Sequence, residues 1–227
     1  MTDNWETWGG VQGPLRGVEL DPAATALVVV DMQYLYHRDY GAGPRLRQLG
    51  TFETHAYMFD RIDATVVPNT ARLLAACRRT GVHVFYTRNA ALAGDGADRA
   101  PGWRRPGKEL GVNWCVAGSK EAEILDELAP EPGEVVLSKT SSGAFASTAI
   151  DAMLRHMGVT TLICCGVATN YCVETTVRAA SDHGYEVVMV SDACAARTAA
   201  QERMAWEVLD GIYCRVVSTD EVLSALP

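Results

Sequence analysis

The stretch TLICCGVATNYCVETTVRAASDHGYEVVMV, residues 161–190, decides the fold. It opens on an apolar run of strand length, Thr161 to Gly166, and unbroken runs of this kind mark strands buried on both faces. From Cys172 to His183 apolar residues recur at helical spacing, and Gly184 supplies the residue best able to take the left-handed conformation that closes a helix. Glu186 to Val190 is a second buried-strand run. Strand, helix and strand within about thirty residues make a parallel βαβ unit.

The same alternation extends to either side. Ala26 to Met32 (ALVVVDM), Val82 to Thr87 (VHVFYT), Glu134 to Ser138 (EVVLS) and Cys214 to Val217 (CRVV) read as four more strands. Thr70 to Arg79 before Gly81, Ser147 to Met157 before Gly158, and Ala199 to Asp210 before Gly211 read as helices. The expectation is one α/β domain of three layers over residues 25–227, a six-stranded parallel sheet with helices on both faces. Residues 1–24, rich in Gly, Pro and Trp, form an irregular arm. A long aperiodic stretch, 89–118, has the makings of a lid, with Trp103, Arg104, Arg105, Lys108 and Trp114 along it.

A chain of 227 residues with 48% hydrophobic content can bury a full core. Its formal charge of −8 repels polyanions and argues against a nucleic-acid partner. No apolar run reaches the roughly 18 residues of a membrane span, and the N-terminus lacks the pattern of a leader, so a soluble cytoplasmic protein is expected. Seven cysteines without a CxxC pair disfavour both a disulfide scaffold and a structural zinc site.

In an open parallel sheet, ligands bind at the carboxyl ends of the strands. Those positions hold Asp31, Arg88, Lys139, Asp192 and, just past a strand, Cys172. An acid, a cation and a thiol then meet on one rim. A strand-end carboxylate alone is often only a turn cap, and a strand-end lysine is usually solvated. Cys172 stands out because it opens a helix, where backbone amides and the dipole favour thiolate; the other cysteines read as small buried hydrophobes. An activated cysteine needs a base and a cation, and Asp31 and Lys139 supply both without histidine. His37 and His55 lie in an irregular region after the first strand with no third ligand at metal spacing, so no metal is expected. Gln33, Tyr34, Tyr36, Arg88, Asn170 and Tyr171 are placed to line a pocket, and Trp103 and Trp114 to close it. Arg104, Arg105 and Lys108 would suit a substrate carboxylate if they are more than a solvated face.

VVVDMQ at 28–33, LSKTSSGAF at 137–145 and CCGVATNYCVETTVRAASDHGYEVVMVSDAC at 164–194 resemble the isochorismatase-like cysteine hydrolase superfamily, from about residue 26 to the C-terminus. The resemblance implies a six-stranded parallel sheet and a catalytic Asp31, Lys139 and Cys172. It also implies a cis peptide between Val167 and Ala168 and an oxyanion hole from the amides of Ala168 and Cys172. Isochorismatases proper lack the cysteine present here, and the D-x-H zinc pair of nicotinamidases is missing. What remains is hydrolysis of a small amide, ureido or carbamoyl compound without a cofactor, by a homodimer or homotetramer. A hydrolase for a bulkier lactam or amide, and a non-catalytic binding module on the same fold, are the alternatives.

Overall fold

The computed structural model describes residues 20–102 and 115–227. The arm with Trp5 and Trp8, and the residues Trp103, Arg104, Arg105, Lys108 and Trp114, lie outside the described residues. Six strands make one all-parallel sheet: β1 (Thr25–Val30), β2 (His83–Asn89), β3 (Val135–Lys139), β4 (Thr161–Val167), β5 (Glu186–Ala195) and β6 (Arg215–Val217), in the order β3-β2-β1-β4-β5-β6. The hydrophobic runs lie at the centre. Every residue of β1 and of β4 is buried, which is why both sequences are apolar without alternation.

The described helices are α1 (Ala42–Gln48), α2 (Ala56–Arg61), α3 (Val67–Thr80), α4 (Ala144–Ser147), α5 (Ile150–His156), α6 (Glu174–Asp182), α7 (Ala199–Leu209) and α8 (Thr219–Ala225). Against one face of the sheet pack α3 and α8; α6 packs against β5 on the other, with α4 and α7 beside it. The face α3 turns inward carries Thr70, Leu73, Leu74, Ala76 and Cys77, and Gly81 closes it in the left-handed region at φ 81°. Residues at this spacing lie along one side of a helix, so the periodicity seen from Thr70 onward is the buried stripe.

Three features differ from the sequence reading. The region after β1 is not irregular throughout: a continuous helical run starts at Ala56 and passes through a π-helical segment, Ile62–Val66, into α3. Pro68 and the β-branched residues around it disguise this helix, and the wider turn sits just before the proline, whose missing N–H cannot serve an ordinary helical bond. β5 runs on to Ala195, so Asp192 lies within it and does not open a loop. Its Oδ1 accepts from the Thr219 amide at 2.7 Å and hydroxyl at 2.8 Å, anchoring the start of α8, which the sequence reading did not foresee. Cys172 lies in a π-helical turn, Thr169–Val173, ahead of α6, rather than opening an α-helix.

Strand order reverses between β1 and β4, the neighbours at the centre of the sheet. The crevice at the carboxyl ends of such a pair is where ligands bind in doubly wound folds. Gly166 makes this point possible: at φ 115° it pairs with Val30, and a Cβ there would lie 2.0 Å from the Val30 carbonyl oxygen.

Candidate active site

Asp31, directly after β1, is fully buried and has a left-handed backbone, φ 53°. Non-glycine residues rarely adopt this conformation, and aspartate tolerates it better than most. It turns the carboxylate back over the sheet, where Oδ1 accepts from the Thr87 hydroxyl at 3.0 Å. Lys139 ends β3, two strands away, and its side chain crosses the end of β2 to reach the same point. Its Nζ lies 2.7 Å from Asp31 Oδ2, 3.1 Å from the Ser141 carbonyl oxygen and 3.3 Å from Cys172 Sγ. Asp31, Lys139 and Cys172 are all inaccessible to solvent in the free chain. The Val167–Ala168 peptide, which leads into the cysteine turn, is cis.

The electrostatics correct one expectation. Burial pushes the Cys172 thiol well above the usual cysteine value; the Asp31 carboxylate pushes the same way, and Lys139 pulls down without prevailing. Burial and Asp31 thus favour the thiol over the thiolate expected from a helix end, against the pull of Lys139. Burial also works against the Lys139 ammonium, but Asp31 and then Cys172 outweigh it and hold the lysine above its ordinary value. A thiol, a carboxylate and a firmly protonated amine fit a proton relay in which the base acts only when the sulfur attacks.

The pocket residues expected from sequence divide. Tyr36 stays within electrostatic reach: burial raises its phenol well above the usual value, with Cys172 and Asp31 acting in the same direction. Asn170 belongs to the cysteine turn, and its buried Oδ1 has no hydrogen-bond partner among the described residues. Tyr171, in the same turn, is half exposed. Gln33 is engaged within the fold. Its amide nitrogen donates to the Glu121 and Asn89 carbonyl oxygens at 2.8 and 3.2 Å, and its oxygen accepts from the Asn89 amide at 2.7 Å. It ties β1 to β2. The Tyr34 ring packs against His37, Tyr40 and the Lys120 ammonium. Arg88 is engaged too, with Nε on the Ser138 hydroxyl at 2.9 Å.

Two residues escaped the sequence reading. Asn89 is fully buried at the end of β2, in register with Lys139 and two residues beyond Thr87, hence on the face that meets Asp31. Its backbone groups are used by Gln33, but neither the Oδ1 nor the Nδ2 of its side chain has a hydrogen-bond partner among the described residues. Arg99, 5% exposed, lies in the loop after β2, and its Nε is likewise unpartnered. Asn89 was legible as a strand end one residue past Arg88; nothing local marks Arg99. His37 and His55 serve local turns: His37 Nδ1 accepts from the Asp39 amide at 3.0 Å, and His55 Nδ1 lies 2.8 Å from the Thr54 hydroxyl.

Residues 25–221 match the family model described as the isochorismatase domain. The chain is 34% identical over 198 residues to the ureidoacrylate amidohydrolase RutB of Methylobacterium radiotolerans, covering 82% of this chain and 73% of that protein. Among solved structures, a cysteine hydrolase from Pseudomonas syringae pv. phaseolicola aligns at 28% identity with a TM-score of 0.78, over 95% of this chain and 98% of the other. The N-carbamoylsarcosine amidase of Thermoplasma acidophilum shares the fold, at 24% identity and a TM-score of 0.65, over 87% and 97% of the two chains.

Proposed function

This chain belongs to the isochorismatase family, and from that premise we propose that it is a cysteine-dependent hydrolase cleaving a C–N bond of a small amide, ureido or carbamoyl compound. The observation that carries the reading is the buried contact of Lys139 Nζ with both Asp31 Oδ2, at 2.7 Å, and Cys172 Sγ, at 3.3 Å. The amidohydrolase relatives support the choice of bond.

Asp31 takes the thiol proton as Cys172 attacks the carbonyl carbon. The amides of Ala168 and Cys172 receive the negative charge that grows on the carbonyl oxygen. Asp31 returns the proton to the nitrogen, the C–N bond breaks, and ammonia or an amine leaves. The product on sulfur is a thioester, or a thiocarbamate when the carbonyl belongs to a ureido group. Water then attacks under the same base, the C–S bond breaks, and the proton goes back to sulfur. Lys139 pairs with Asp31 at 2.7 Å and holds the carboxylate and the sulfur in register. Asn89, with both ends of its side-chain amide unpaired among the described residues, takes the amide or ureido head of the substrate. No cofactor or metal enters these steps. The reading includes a homo-oligomer, which light scattering at micromolar concentration tests.

A panel of amides, ureido acids and lactams, followed by ammonia or amine release, tests the assignment. Turnover of at least one small amide or ureido compound, abolished in Cys172→Ala, is expected. Turnover confined to bulky lactams, or surviving in Cys172→Ala, would contradict it.

A further inference from the structure

Arginine stays protonated at any pH a protein tolerates, and a buried guanidinium is found almost always with a carboxylate or phosphate against it. Arg99 has none among the described residues. Among the described residues its one direct hydrogen bond runs from Nη2 to the Cys115 carbonyl oxygen at 3.0 Å, and its Nε has no partner there while the residue is 5% exposed. Nearby carboxylates are committed elsewhere. Glu121 pairs with Arg45, Asp98 accepts from the Leu92 amide, and Asp95 from the Ala97 amide.

The backbone around Arg99 is anchored to the active-site rim. The amide of Ala100 donates to the carbonyl oxygen of Thr140 at 3.0 Å, one residue past Lys139, and the Ala90 amide donates to Lys139 itself at 3.1 Å. Cys115, whose carbonyl oxygen holds the guanidinium, donates its thiol to the Asn89 carbonyl oxygen at 2.8 Å. The Tyr36 phenol feels the charges of Cys172, Asp31 and Arg99 together. Arg99 and Cys172 therefore both lie within electrostatic reach of the Tyr36 phenol at the active-site rim, and the charges of the described residues there do not balance. Asp31 and Lys139 cancel, which leaves the guanidinium as one net positive charge among the described residues.

We propose that Arg99 is the specificity residue of this site and that the substrate carries a carboxylate, so that the compound hydrolysed is an amido or ureido acid. The inference rests on the hydrolase reading above and adds the second end of the substrate to it. Asn89 and the oxyanion donors hold the scissile head while the guanidinium fork takes the carboxylate, and the bound monoanion brings these groups to neutrality. Bidentate geometry suits a planar carboxylate better than any other small anion a soluble amide commonly bears.

Matched pairs test this: 3-ureidopropionate against propylurea, and succinamate against butyramide, each pair differing in one terminal carboxylate. The wild-type enzyme should favour the acid in kcat/KM by about 30- to 100-fold, the scale of a charge-assisted hydrogen-bonded pair. In Arg99→Gln that ratio should collapse to within about threefold, and Arg99→Lys should fall between, because it keeps the charge and loses the fork. Should Arg99→Gln fail to fold, the wild-type ratio and Arg99→Lys still decide. Equal turnover of both members by the wild type overturns the inference and leaves the hydrolase reading standing. A ratio unchanged in Arg99→Gln also overturns it, showing a structural role. If no pair is turned over in a Cys172-dependent way while simple amides are, the inference falls alone; if nothing in the panel is, both fall.

Discussion

Replacing Lys139 by methionine should destabilise the fold far more than the loss of one surface-length side chain suggests. The methionine fills nearly the same volume, so packing changes little. What changes is the charge balance: Asp31 and Lys139 are both wholly inaccessible and 2.7 Å apart, and the variant leaves a carboxylate in a dry crevice with no cation beside it, only the Thr87 hydroxyl and the Cys172 thiol as side-chain donors among the described residues. Removing one partner of a buried pair costs about 3 to 5 kcal/mol, whereas replacing both by neutral groups is often close to neutral. Against a total stability of about 5 to 15 kcal/mol, Lys139→Met should lower the urea midpoint drastically. Asp31→Asn/Lys139→Met should recover at least half of the loss, since asparagine accepts the left-handed backbone of residue 31. Urea unfolding at neutral pH of the wild type, both single variants and the double variant closes the cycle. A loss below about 1 kcal/mol in Lys139→Met, or purely additive effects, would refute the buried ion pair on which the mechanism depends.

The seven free cysteines are all buried, and the values of Cys115 (about 11) and of Cys77, Cys165 and Cys214 (about 12) are raised by burial. Because folded-state values lie above unfolded ones, this stability is present below about pH 8.5 and is lost as pH rises, at about 1.4 kcal/mol per unit for each such thiol. The urea midpoint should be flat from about pH 6 to 8 and fall steeply toward pH 10, and a flat profile to pH 11 would be incompatible with thiols buried in protonated form. Gly166→Ala should not yield soluble folded protein, because a Cβ would collide with the Val30 carbonyl oxygen at 2.0 Å; a variant melting at the wild-type temperature would show that β1 and β4 do not approach as described. Activity should persist through exhaustive chelation, since His37 and His55 are engaged in separate turns, and a loss reversed by added zinc would contradict this.

The sheet could be read because its central strands are buried on both faces, so ALVVV at 26–30 and TLICC at 161–165 carry unbroken apolar signals. The helix from Ala56 was hidden, because Pro68 and its β-branched neighbours look like a break when a π-helical turn absorbs them. The convergence of Asp31, Lys139 and Cys172 followed from topology, since each stands at or just beyond a strand's carboxyl end. Their protonation did not follow. A pattern shows that Cys172 precedes a helix, but only the packing shows that burial outweighs the neighbouring lysine. Gln33 and Arg88 are tied into the fold for a related reason: strand-end position brings a polar residue to the rim, while tertiary hydrogen bonds decide how many of its groups remain free. Arg99 was illegible because its significance is a partner missing among the described residues.

The central claim is that the Cys172 sulfur carries the acyl group during turnover, with Asp31 moving the proton. It is tested most directly by acid-quenching the enzyme during steady-state hydrolysis of the best substrate from the panel and mapping peptides by mass spectrometry. An adduct of the acyl or carbamoyl mass on the peptide containing Cys172, absent from Cys172→Ser and from Asp31→Asn, is the predicted result. Turnover at the full wild-type rate in Cys172→Ser, or an adduct on another cysteine such as Cys115, would contradict the account.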